Sequence, residues 1–215
     1  MSMKDAFDAA TLAATKRKNL IIFFVFTHLA FLALGQWMAL AGYPVVIELR
    51  TKQLELIQDL PYLKPLTGVL ADSLALKILY TFAFNLVVGA FLSTTVSGAV
   101  FFLPYLIAVW RGFIIGVLVS DFSLTPGMVA MFYGTFILEF GAYCLSSAVG
   151  TDIGLSLLIP ERKGTDSRKK AFLEAFREGR HLYILIAVIL FSAAIWEICW
   201  IEYGGGLVRS GVLIK

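Results

Sequence analysis

The chain has 215 residues, of which 59% are hydrophobic and 15% charged, with a net charge of +3 and a mean hydropathy of +0.84. That is too apolar for a soluble domain of this size, and it sets aside soluble enzymes and basic nucleic-acid binders in favour of an all-α, polytopic membrane helix bundle. The two cysteines, Cys144 and Cys199, lie inside apolar stretches with no CxxC spacing, so they read as buried free thiols rather than as a disulfide framework.

Residues 1–18 start polar, carry Lys4, Lys16, Arg17 and Lys18, and place Phe7, Ala10 and Ala14 at helical spacing. This pattern predicts a short cytoplasmic helix lying in the membrane interface. Residues 19–42 then run apolar for 24 residues, enough at 1.5 Å per residue to cross a core of roughly 30 Å. Ala39-Leu40-Ala41 resembles a signal-peptidase site, but the apolar run is longer than a signal's, so an uncleaved anchor is expected. His28, alone in this span, reads as a packed residue. The connection from Tyr43 to Ser73 is bounded by Pro44, Pro61 and Pro65, and Val46, Leu49, Leu54, Ile57 and Leu60 fall on one side of a predicted surface helix.

Leu74 to Val119 is too long for one crossing and divides into spans over about 74–96 and 98–119, with a hairpin expected at Thr94-Thr95-Val96-Ser97-Gly98. Small residues four apart, in the series Gly89, Ser93, Ser97 and the pair Gly112, Gly116, predict close approach within that hairpin. A short acidic loop, Asp121–Gly127, leads to a fourth span over 128–159, which carries Glu139 at its centre and a ridge of Ala142, Ser146, Gly150 and Gly154. Asp152 falls near the membrane edge. Pro160 to Arg180 is the most charged connection, with Phe172 and Phe176 on one side of an expected interfacial helix. The fifth span, 181–202, closes with Trp196, Trp200 and Tyr203 as an aromatic belt, and an external glycine-rich tail covers 203–215.

Counting basic residues orients the bundle. Lys4, Lys16, Arg17 and Lys18 with Arg162, Lys163, Arg168, Lys169, Lys170, Arg177 and Arg180 would lie inside, against Arg50, Lys52, Lys64, Arg209 and Lys215 outside. This is a positive-inside distribution for five transmembrane helices with the N-terminus inside and the C-terminus outside the cytoplasmic membrane. In that topology Asn85, Arg111 and Glu139 each lie roughly 16 to 20 Å along their spans, close to the bilayer midplane. A lone intramembrane carboxylate costs roughly 2.5 to 3.5 kcal/mol on insertion scales, so Glu139 needs a partner or a purpose. The expectation is an Arg111–Glu139 ion pair with Asn85 filling the remaining hydrogen-bonding positions. Such a cluster serves either as an internal clasp that specifies helix register or as a functional polar site.

Over about Leu74 to Ile159 the sequence resembles the stage II sporulation protein M family of integral membrane proteins. The residues that carry the resemblance are Asn85 in FAFNLVVGAF, Arg111-Gly112 with Gly116 in WRGFIIG, Tyr133-Gly134 with Leu138-Glu139-Phe140 in FYGTFILEFG, and the later Gly150 and Gly154. Arg111 stands where the family has an Asn, and Phe132-Tyr133 stand for its Pro-His. The resemblance implies five spans and, from the family's sporulating members, a membrane complex with cell-wall-degrading partners during engulfment.

The expected function is therefore a non-catalytic membrane protein that scaffolds or recruits partners; the alternative is a small channel or transporter using the Asn85, Arg111 and Glu139 cluster. The sequence carries no HExxH, GxSxG or Cys–His pairing for an intramembrane enzyme, and paired glutamates are not expected. No cofactor or metal site is expected. The expected partners are the lipid bilayer and other membrane proteins or further copies of the chain, with no nucleic acid.

Overall fold

Backbone amides surrounded by hydrocarbon are satisfied only within helices or closed barrels, and this chain takes the helical course. The computed structural model describes residues 3–120 and 126–204, and no strand occurs among them. The elements are α1 (Met3–Lys16), α2 (Lys18–Leu40), α3 (Pro44–Asp59), α4 (Lys64–Thr67), α5 (Leu74–Phe84), α6 (Leu103–Val119), α7 (Pro126–Leu158) and α8 (Arg168–Cys199). Four helical stretches are long and apolar enough to cross a membrane: Lys18–Leu40, Leu74–Ala99, Phe132–Leu158 and Arg168–Tyr203. α6 is also apolar but has only 17 residues. The expected loop at Asp121–Gly127 and tail at 203–215 lie largely outside the described residues.

α7 is the central helix, because its second half is small enough on every face to be surrounded. Ala142, Ser146, Ala148 and Val149 are almost fully buried. α8 lies along it, presenting Leu182, Ile186 and Leu190 at four-residue spacing to a core that includes Tyr143, Val149 and Ile153. On another side of α7 runs the continuation of α5, which widens into a π-helix over Asn85–Val96 and tightens into a 3₁₀ turn over Ser97–Ala99.

That continuation moves the expected hairpin. The polar run Thr94 to Gly98 is not a loop; the chain turns only at Val100–Phe102. Ser93, Thr94 and Ser97 spend their hydroxyls on their own helix, donating to the carbonyls of Gly89, Ala90 and Ser93, while Thr95 donates across to α7. Gly98 is needed inside, where it meets the backbone of Gly150.

The glycines of α6 also differ from expectation in their partner. Gly112 and Gly116 lie against the carbonyls of His28 and Leu32, so they seat α6 on α2 rather than on the preceding span. Gly35 of α2 returns the contact on the Phe113 carbonyl, and no side chain separates the two backbones there. The α7 ridge is met by the α5 continuation, with Gly150 on the Thr94 carbonyl and Gly154 on that of Gly98.

Two surface helices are less separate than the sequence suggests. Residues 168–180 do not form an isolated interfacial helix but run without a break into the last apolar stretch, capped by Ser167, whose hydroxyl accepts from the Lys170 amide at 3.4 Å. α1 lies against that same end of α8, with Ala10 and Ala13 buried and Phe7 left exposed.

Candidate functional site

The π-helix begins at Asn85, and π turns concentrate at functional positions. Its carboxamide Nδ2 donates to Glu139 Oε1 of α7 at 2.6 Å. Arg111 reaches from α6 toward the same π-helix, where Nη2 donates to the Gly89 carbonyl and the Ser93 hydroxyl, each at 3.3 Å. Its guanidinium lies over the Tyr143 ring, 4.0 Å from the centroid.

Arg111 and Glu139 form no ion pair, which corrects the expected contact. The reason is local. Tyr143 stands one helical turn beyond Glu139 and takes the cation on its ring face. Gly89 allows this, since a Cβ there would lie 2.7 Å from the Tyr143 hydroxyl. Glu139 is left with Asn85 as its hydrogen-bond partner, and Arg111 Nη1 has none.

The three residues nevertheless share one space. They line a cavity of about 400 Å³ between α5 with its π continuation, α6, α7 and α8. A second carboxylate, Glu197 of α8, lines it too, contrary to the expectation that no glutamates would be brought together. Glu197 makes no hydrogen bond or ion pair among the described residues. The signal for it was present, because an acid in the apolar run IWEICW raises the same cost as Glu139; its place between two belt tryptophans disguised it.

The segment between α3 and α4 caps this cavity. Tyr62 stacks on Phe84 with ring centroids 4.5 Å apart, and the Tyr80 hydroxyl donates to the Tyr62 carbonyl at 2.7 Å. Partial burial pushes the Tyr62 phenol above its ordinary pKa. At the same end of the bundle Lys77 pairs with Glu202.

Beyond Arg111 the bundle closes. The Thr94 and Ser146 hydroxyls lie 2.7 Å apart, Thr95 donates to the Ser146 carbonyl at 3.1 Å, and the Thr95 and Tyr183 hydroxyls meet at 2.6 Å. The contacts of Gly98 with Gly150 and Gly154 continue this seal.

A second buried ionic cluster lies past the seal, where the sequence reading had placed only an edge charge at Asp152. Arg17 Nη2 approaches Asp152 Oδ2 at 2.7 Å and Glu178 Oε2 at 3.4 Å. Lys163 Nζ meets the same two oxygens at 3.0 and 2.8 Å, and Lys16 pairs with Glu178. These contacts tie α1, α7 and α8 together. Counting Arg17 only as an orienting charge hid this role.

The remaining candidates stand apart from the cavity. His28 is buried, with Nδ1 2.8 Å from the Phe24 carbonyl and 3.5 Å from Cys144 Sγ, a Cys–His proximity absent from the sequence reading, and its ring lies 4.7 Å from that of Phe140. Gly134 lies against the Trp196 indole and brings α7 onto α8.

The family model for stage II sporulation protein M matches residues 19–200, extending the resemblance from the middle spans to nearly the whole bundle. No curated protein and no solved structure matches the chain.

Proposed function

Starting from a chain that belongs to the stage II sporulation protein M family of membrane proteins, we propose that it is a non-catalytic, carrier-type protein that takes a polar solute into an intramembrane chamber. The observation that carries this reading is the cavity of about 400 Å³ where an ion pair was expected. Ionisable groups held around an open space inside a bundle are costly unless something polar occupies that space. Discontinuous or distorted helices at such sites are a recurrent means of presenting backbone groups to a solute. Here the π-helix starting at Asn85 supplies the distortion.

The proposal includes five crossings of the cytoplasmic membrane, α6 being the third, with the N-terminus inside and the C-terminus outside. The basic residues of α1 and of residues 160–180 support this orientation. The chamber then opens toward the outer side beneath the Tyr62 segment, while the Thr94–Ser146 region closes it from the cytoplasm. α6 is short for a crossing, which local thinning of the bilayer accommodates at modest cost.

The test is chemical access. In a background with Cys144→Ala and Cys199→Ala, Asn85→Cys should react with a membrane-impermeant thiol reagent added outside cells and should be protected from reagent confined to the inside. No reaction from either side sinks the chamber. Solute flux into liposomes that Glu139→Gln abolishes would support carriage; no flux for any polar solute would remove it.

A second reading, recruitment of membrane partners or a further copy of the chain, is favoured by α3. That helix buries Val46 near Ala39 and Val117 but leaves Val45, Leu54 and Leu56 exposed. Cross-linking from α3 that captures only lipid would count against it.

A further inference from the structure

We infer that the chamber is built for a small zwitterion, with a primary ammonium held between Glu139 and Glu197 and an acidic group held at Arg111. This rests on the chamber reading and adds the chemistry of the occupant. Three ionisable side chains line one space, and each has unused hydrogen-bonding capacity. Glu139 has a hydrogen bond on Oε1 alone, Glu197 has no hydrogen bond or ion pair among the described residues, and Arg111 Nη1 is buried without a partner.

Had the guanidinium paired with Glu139, the two charges would have cancelled and left a clasp. Their separation leaves one guanidinium and two carboxyl groups facing a common cavity. A simple cation is suited by the glutamates but opposed by Arg111; a simple anion meets the reverse. A ligand with both charges, joined by a few methylenes, answers all three side chains. The stacked Tyr62 and Phe84 provide an apolar and aromatic wall, suitable both for the methylenes and for an ammonium approaching a ring face. The volume of about 400 Å³ is within the range of small-molecule sites, and large for a bare ion. The same chemistry occurs in a free amino acid and in a phosphoethanolamine headgroup.

The experiment uses the full chain in phosphatidylglycerol nanodiscs, titrated calorimetrically with 4-aminobutyrate, butylammonium and butyrate. The zwitterion should bind at least tenfold more tightly than either singly charged analogue. Glu139→Gln and Glu197→Gln should each weaken it at least tenfold. Arg111→Gln should weaken it and bring butylammonium level with it, while Arg111→Lys should restore part of the preference. Adding phosphatidylethanolamine to the nanodiscs separates the sources: competition identifies the headgroup, and its absence a free solute.

Equal binding of butylammonium and 4-aminobutyrate by the parent protein overturns the zwitterion. So does no binding of any probe in either lipid when Asn85→Cys is reactive from outside; in that event the chamber stands and its occupant is another class. An unreactive Asn85→Cys removes both.

Discussion

Arg17 and Arg111 are both drawn into the bundle, but they lie among opposite surroundings. Arg17 meets two carboxylates, and Lys163 shares the same oxygens, so the charges at that end of the bundle are answered within the protein. Arg111 has carbonyl, hydroxyl and ring contacts with no carboxylate ion pair, and faces a cavity. A buried arginine is therefore not evidence of one role; what closes its charge decides. The Arg17 cluster joins three helices and sets its charge against two carboxylates, with only Arg17 Nε left without a hydrogen-bond partner among the described residues. The Arg111 cluster keeps donors and acceptors unspent, as a binding site must.

Substitutions can break this contrast at graded cost. The largest effect should come from the seal between the two clusters: Gly150→Leu drives a side chain into the Thr94 backbone, and no folded protein should be recovered from detergent by size-exclusion chromatography. Next, Asp152→Ala leaves Arg17 and Lys163 buried without that carboxylate and should destabilise by about 3–5 kcal/mol in denaturant unfolding. Arg111→Gln should cost less, about 1–2 kcal/mol, since it loses two long hydrogen bonds and a ring contact but strands no paired carboxylate. A loss for Arg111→Gln equal to that of Asp152→Ala would make both clusters clasps. Glu139→Gln should leave stability within about 0.5 kcal/mol, because the amide oxygen still accepts from Asn85. Smallest of all, Lys52→Ala removes an exposed pair with Glu48 and should shift the unfolding midpoint by no measurable amount.

Much of this was legible in the residues. Long apolar runs announced membrane helices, and the motifs around Asn85, Gly134 and Glu139 announced the family. Small residues four apart marked surfaces of close approach, but spacing along one helix says nothing of which helix answers it, so Gly112 and Gly116 were assigned to the wrong neighbour. The turn was misplaced for a related reason. Hydroxyls and glycine in sequence look like loop chemistry, yet Ser93, Thr94 and Ser97 spend their hydroxyls on their own helix. Asn85, Arg111 and Glu139 do line one cavity, but position along a helix is one coordinate of three and left their pairing open.

The sequence by itself determined that this chain is helical, that it belongs in a membrane, and which polar residues are too costly to be idle. These are properties of single segments and their transfer into lipid. Only the tertiary structure decided that Tyr143 would take the face of Arg111, that Glu197 would join Glu139 across a cavity, and that Arg17 would reach Asp152. Each of those outcomes depends on the rotation of one helix about its axis against another, and that rotation is set by the shapes of both surfaces together.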